Sequence, residues 1–293
     1  MGRLEEGELY HYAPSKVAAI LFAALFGIST VAHIYQSWIH QRRKAWFMTA
    51  FLVGALFEVV GYAARILSAN DPKARNPFII QTLLILLAPA LMAATIYMIL
   101  GRIILLTSGE RFALIRRTWL TKIFVLGDVL SFVAQGIGGG MLSNNNGTIQ
   151  EQIDRQKLGK NIILVGLWIQ IIFFGLFLLV AILFQFRGRH HFKKLPAGLG
   201  WEKHMYTLYA VSALILVRSL FRVAEYIQGV DGFLYSHEVF LYIFDALLIF
   251  GAMAAMNVVH PADIARLLKE KDSYSSLSEM ERLGSTADVA YRA

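Results

Sequence analysis

Seven long apolar stretches separated by short polar segments set the pattern of the chain. They run over 17–39, 46–68, 78–100, 120–142, 161–186, 205–228 and 237–259. Each has the roughly 20 residues that a helix rising 1.5 Å per residue needs to cross a bilayer. The stretches are too long for strands and lack period-two alternation. The third and fifth contain no charged residue. The pattern predicts an all-α, polytopic membrane protein with a seven-transmembrane-helix bundle. The loops are too short for a separate soluble domain, and no internal repeat is visible. The expected organisation is an extracytoplasmic segment at 1–13, a transmembrane domain at 14–261 and a cytoplasmic tail at 262–293. The tail opens on an amphipathic stretch, with Ile264, Leu267 and Leu268 on one side and Arg266, Lys269 and Lys271 on the other. It is expected to lie on the inner membrane surface. The remainder, with Ser273, Ser275, Ser276 and Ser278, reads as a solvated, disordered end.

Composition agrees with the pattern. Of the 293 residues, 57% are apolar or aromatic and 16% charged, and the mean hydropathy is +0.54. A soluble domain has about 25% charged residues. The net charge of +8 would suggest nucleic acid in a soluble protein, but here its distribution reads as topology. Seventeen Lys and Arg fall in the segments after spans one, three, five and seven, against seven in the N-terminal segment and the other loops. That places the N-terminus outside and the C-terminus in the cytoplasm. Trp38, Trp46 and Trp119 sit at the expected cytoplasmic span ends, as an aromatic belt would. Asn146-Gly147-Thr148 is a weak N-glycosylation sequon in an outside loop. The first residues carry acids where a signal peptide needs bases, and Glu6 stands where a myristoylation motif needs Ser or Thr.

With no cysteine in the chain, disulfides, thiolate metal sites and cysteine nucleophiles are excluded. There is no phosphate-binding G-x-x-x-x-G-K-[ST], no G-x-G-x-x-G after a strand, no H-E-x-x-H and no G-x-S-x-G. No ATP hydrolysis, other enzymatic activity, cofactor, metal or nucleic-acid partner is therefore expected.

Charges inside spans are the candidates for function, because each costs about 2.5–3.5 kcal/mol at the bilayer centre and must face partners or water. They are Glu58, Arg65, Asp128, Arg218, Arg222, Glu225, Glu238 and Asp245. Arg218, Arg222 and Glu225 stand at i, i+4 and i+7. So do Glu58, Tyr62 and Arg65 on span two, and Glu238, Tyr242 and Asp245 on span seven. Three helices thus each carry one polar stripe. Arg218 and Arg222 repel as an i,i+4 pair; Glu225 offsets one of them, so an acid from another helix is expected. By helical rise, Glu58 and Arg218 lie roughly 18 and roughly 20 Å from the basic end, and Asp245 roughly 12 Å from the other end of a core about 30 Å thick. Glu58, Arg218 and Asp245 are expected to meet, with Arg222, Glu225, Arg65 and Glu238 stacked toward the outside and Asp128 alone. Such a network either locks helices together or lines a polar cavity for a substrate. Pro89 is expected to kink span three. Gly136 and Gly140 are expected to pack inside the bundle, and Gln81, Gln135 and Gln170 to hydrogen-bond between helices. His33 reads as a packing histidine more readily than as a haem ligand.

Motifs spread along the chain resemble the fungal lipid-translocating exporter family. They are Tyr12-Ala-Pro14-Ser15, Glu58-x-x-Gly61-Tyr62-x-x-Arg65, Pro77-x-x-x-Gln81, Ala88-Pro89 with Tyr97, and Gly101-Arg102. They continue with Gly127-Asp128-Val129, Ser131 and Gln135, then Arg218-Ser-x-Phe-Arg222-x-x-Glu225, His237-Glu238 with Tyr242 and Asp245, and His260-Pro261. Ala262 departs from the Gly often seen after that His-Pro. The resemblance implies seven helices, an outside N-terminus and a fungal plasma or internal membrane. It implies export or transbilayer movement of sphingoid long-chain bases, resistance to toxic amphiphiles such as sterol-like drugs and, in one branch, porphyrin or haem traffic.

The expected function is thus a transporter or translocator of amphiphilic lipids, its partners being membrane lipids or amphiphilic small molecules, in the plasma membrane. Glu58, Asp128, Glu225, Glu238 and Asp245 would receive a cationic amine; Arg65, Arg218 and Arg222 would receive phosphate. A seven-helix receptor-like sensor and a porphyrin or haem transporter are the alternatives. The sequence leaves the oligomeric state open.

Overall fold

The computed structural model describes residues 14–40, 46–71, 73–143, 148–196, 199–229, 232–271 and 273. Among them there is no strand, and seven helical segments are long and apolar enough to cross a membrane. Six are α1 (Lys16–Ile34), α2 (Thr49–Asn70), α3 (Arg75–Leu106), α4 (Arg117–Ser143), α5 (Ile149–Phe192) and α6 (Trp201–Gln228). The seventh, α7, has Glu238–Leu241, a π turn over Tyr242–Ala246 and Leu247–Val258. A further helix at 262–271, α8, follows His260-Pro261. From α1 to α7 each helix packs on the next in the chain, α7 closes back on α1, and α3 reaches across to α6. Apolar side chains are turned outward. Val17, Ile28 and Val31 on α1, Leu126, Leu130 and Val133 on α4, and Ile172 and Leu176 on α5 are exposed, whereas Glu58, Arg65, Asp128, Arg218, Glu225 and Asp245 are buried. Only an apolar surround makes that inverted arrangement favourable.

Side-chain caps mark the starts of α1 and α5. The Ser15 hydroxyl accepts from the Ala18 N–H at 3.3 Å. Thr148 and Glu151 form a reciprocal capping box at the start of α5. At 44 residues, α5 is about 66 Å long, roughly twice the hydrocarbon thickness, so it projects beyond the core. Trp46 and Trp119 are exposed at span ends, as belt residues should be; the Trp38 side chain lies outside the described residues.

Small residues let the helices approach, though not those expected. Gly136 and Gly140 have open space where a Cβ would stand. Gly138 and Gly159 make the α4–α5 contact instead: a Cβ on either would come within 2.5 and 2.8 Å of the other's carbonyl oxygen. On a helix 138 is two residues from both 136 and 140, so it faces the other way. Gly159→Leu is expected to cost about 1–3 kcal/mol through forced separation of the helices, read as a lower unfolding temperature in detergent. Gly140→Leu should change it little.

The amphipathic stretch after Pro261 folds against the bundle rather than lying apart from it. Ala262 and Ile264 are fully buried in the main core. Lys271 Nζ donates to the Leu105 and Leu106 carbonyls at 3.1 and 3.0 Å, placing a positive charge on the unsatisfied C-terminus of α3. Segments 1–13 and 274–293, with most of the tail serines, and Asn146 of the sequon lie outside the described residues.

Candidate functional site

Three helices bring their polar stripes together midway through the bundle. Arg218 and Arg222, one turn apart on α6, straddle Asp245 in the π turn of α7. Arg218 Nε donates to Asp245 Oδ1, and Arg222 donates to Asp245 Oδ2 at 2.5 Å. Arg222 also donates to Glu225 Oε2 at 3.0 Å. The inter-helix acid demanded by two like charges on one face is thus Asp245, and two arginines are balanced by two carboxylates. The π turn shifts Asp245 relative to a regular helix; such single turns recur at functional positions.

Arg218 has a further partner, which ties in α3. It donates to the Ile85 carbonyl at 2.9 Å. Ile85 stands four residues before Pro89, which has no N–H to return the in-helix bond. The proline therefore frees a carbonyl inside the membrane, and the guanidinium from α6 satisfies it.

Nearer the end of the bundle where α1 begins lies a second cluster. Arg65 on α2 pairs with Glu238 at 2.7 Å and donates to the Tyr242 hydroxyl at 3.2 Å. Tyr242 donates to Glu238 Oε1 at 3.1 Å, and the Ser15 N–H donates to Glu238 Oε2 at 2.8 Å. One carboxylate thus fastens the starts of α1 and α7 to the end of α2. Arg65→Met is expected to leave Glu238 without its countercharge. Because the pair is partly open to solvent, the cost should be about 1–3 kcal/mol, measured as unfolding temperature.

Between the two clusters stand Glu58 and Tyr62. Glu58 is 1% exposed and within electrostatic reach of Asp245, Arg218 and Arg222, yet its Oε1 has no hydrogen-bond partner among the described residues. The Tyr62 hydroxyl is likewise buried and unpartnered, its ring packed 5.3 Å from Phe26 and 6.4 Å from Tyr242. Asp128 lies apart, on α4. It faces the Tyr97 hydroxyl of α3, but neither carboxylate oxygen closes a hydrogen bond of ordinary geometry. Tyr97 packs against Phe124, Phe174 and Phe177, with centroids 5.4, 6.1 and 4.6 Å away. Further along α4, Ser131 donates to the Gly166 carbonyl at 2.7 Å, and Gln135 reaches Ser131 at 2.6 Å and Gln170 at 3.4 Å.

Histidines serve as links at the opposite end. The His33 Nε2 faces the Met253 carbonyl at 3.1 Å, so that nitrogen carries the proton. His260 accepts from the Ala262 N–H and donates through Nε2 to Ser37 Oγ at 3.3 Å. Among the described residues no group of three or more His, Asp or Glu is placed to hold a metal.

The RTA1-like protein family matches residues 51–267. The chain belongs to that family. Protoporphyrin uptake protein 1 of Saccharomyces cerevisiae is 36% identical over 85% of this chain and 91% of its own length. A probable lipid transporter, atnI, of Emericella nidulans is 33% identical over 88% of this chain and 68% of its own. The sphingoid long-chain base transporter RSB1 of Saccharomyces cerevisiae is 26% identical over 83% of this chain and 70% of its own. No solved structure matches the chain. These relatives agree with the resemblance carried by the motifs, and the chain is an integral multi-pass membrane protein.

In this RTA1-like bundle the eight expected charges divide into three groups. Arg218, Arg222, Glu225 and Asp245 form one network, with Glu58 beside it but outside every ion pair among the described residues. Arg65 and Glu238 form the second, and Asp128 stands in the third with Tyr97. Residue periodicity did not disclose the Ile85 carbonyl or the Ser15 N–H. The first had a signal in the sequence, a proline four residues on. The second had none, because the contact joins residues 15 and 238.

Proposed function

We propose that this protein moves amphiphiles bearing a cationic amine, of which sphingoid long-chain bases are the leading class, across or out of the bilayer. The observation that carries the reading is that Glu58 and Asp128 are buried acids of the spans that form no ion pair with a basic residue among the described residues. Asp245, Glu225 and Glu238 are committed to arginines, which narrows the candidate contacts for an amine to Glu58 and Asp128. An amphiphile would present its amine to these carboxylates and keep its chain in lipid. Relatives named as lipid and sphingoid-base transporters support the same reading. The basic loops favour an outside N-terminus, and plasma membrane is the proposed location. Transport would draw on a gradient or on the substrate's own imbalance, with no hydrolysis by this chain.

A porphyrin is the second reading, favoured by the relative named for protoporphyrin uptake. Its carboxylates would need cations, and Arg65, Arg218 and Arg222 are each already held by an acid, so this reading requires those pairs to open.

The test is flux in proteoliposomes with labelled sphingoid base, phospholipid and porphyrin offered separately. The base should move at least about tenfold faster than in protein-free vesicles, a barrier change of about 1.4 kcal/mol. Equal rates with and without protein would overturn transport. Movement of porphyrin but not base would favour the second reading.

A further inference from the structure

The central cluster is electrically balanced without Glu58. Arg218 and Arg222 supply two positive charges, and Asp245 and Glu225 two negative ones. Arg65 and Glu238 cancel each other farther along α2. The ionisable groups that reach Glu58 are Asp245 from α7, Arg218 and Arg222 from α6, and Tyr62 on its own helix. The side chains that α1 and α3 bring to this stretch of α2 are apolar: Phe22 and Phe26 lie against Tyr62, and Ile85 and Met92 lie over Gly61 and Gly54. A bare third carboxylate would leave a net negative charge at bilayer depth, which a low-dielectric surround strongly opposes. Neutrality at this level requires a monocation on Glu58, and the smallest is a proton.

We infer that Glu58 is an exchange site, where a proton and the cationic headgroup of an amphiphile compete for one carboxylate. The inference rests on the transport reading above and adds its coupling. When the ammonium arrives, the Glu58 O–H bond breaks, the proton leaves, and the carboxylate pairs with the ammonium. When the ammonium departs, a proton returns. The cluster is neutral in both states, so one proton moves against each amine. A route for the proton is laid out on the same faces of α2 and α7. Tyr62 stands one turn from Glu58 with its hydroxyl unpartnered, its ring is 6.4 Å from that of Tyr242, and the Tyr242 hydroxyl donates to Glu238 at 3.1 Å. Glu238 keeps a 12% exposed side chain at the end of the bundle. Glu58 and Tyr62 along one helix, and Glu238 and Tyr242 along the other, are each four apart, so each pair shares one face of its own helix.

The test uses an N-trimethylated sphingoid base, whose fixed charge prevents it from crossing by shedding a proton. The full chain is placed in vesicles carrying an internal pH dye. A lumen one pH unit more acidic should drive about tenfold accumulation of the probe, the ratio set by one-for-one exchange, and the dye should report proton exit. Glu58→Gln should abolish the drive by the pH gradient, and Glu58→Asp should retain part of it. Probe flux that ignores the pH gradient, or follows a sodium gradient instead, overturns the exchange while leaving transport intact. No protein-dependent flux of any amphiphile overturns both. If Glu58→Gln fails to assemble, infrared spectroscopy of the wild-type protein decides. A protonated-carboxyl band that shifts in deuterated water and fades on adding the probe is expected; a band that the probe leaves unchanged overturns the exchange.

Discussion

Asp245→Asn is expected to be the most damaging single change in the bundle. Asp245 is the acid between Arg218 and Arg222, and the asparagine keeps its shape while removing the charge. Two guanidinium groups then keep one paired carboxylate, that of Glu225, and Glu58, the nearby acid that could ionise in place of Asp245, forms no ion pair with either of them among the described residues. Removing one partner of a buried ion pair costs about 3–5 kcal/mol, because the remaining charge stays desolvated and unbalanced. The protein should show a much lower unfolding temperature in detergent and poor recovery as a monodisperse species. The double variant Arg218→Met/Asp245→Asn should be less damaged than the sum of its singles, since it restores one-to-one balance between Arg222 and Glu225. Additive losses would mean that the three side chains do not act as a unit. Asp245→Asn is therefore a poor probe of substrate contact, since loss of flux would follow from loss of the fold.

Glu58→Gln should behave in the opposite way. The carboxyl lies outside the ion pairs and its Oε1 is unpartnered, so the isosteric amide removes no countercharge. Unfolding temperature should stay within about 0.5 kcal/mol equivalent of wild type or rise. Amine flux should fall at least about tenfold, a barrier change of about 1.4 kcal/mol. The split between stability and flux is the diagnostic. A variant that loses both would make Glu58 a structural link, and one that keeps both would remove it from the site.

These two acids were indistinguishable as residue patterns. Each is a carboxylate placed on a seven-residue polar stripe at a similar expected depth, and the sequence groups them with Arg218. The structure gives Asp245 to both arginines and leaves Glu58 without either. The same holds for the glycines. Four of them crowd the end of α4, and periodicity alone favoured Gly136 and Gly140, yet Gly138 is the one that meets Gly159. In both cases the deciding quantity is the rotation and axial register of one helix against another. A one-residue turn of α4, or the π turn in α7, moves a side chain by about 100°, and that choice is made by packing over the whole interface.

What the sequence determined by itself is set by a solvent it shares with every membrane protein. Hydrocarbon demands about 20 apolar residues per crossing and taxes each charge. Seven spans, the inward burial of Arg218, Asp245 and their neighbours, and the need for an acid from outside α6 were therefore all legible along the chain. Pro89 predicted a kink, while the carbonyl it frees at Ile85 and the partner of that carbonyl came from the structure. The tertiary structure alone decided which acid answers which base, that Arg218 caps Ile85, that Ser15 and Glu238 meet, and that Asp128 faces Tyr97 away from the rest. Those outcomes depend on distances between helices far apart in the chain. Local periodicity fixes the face on which a residue lies, and the helix packed against that face fixes its partner.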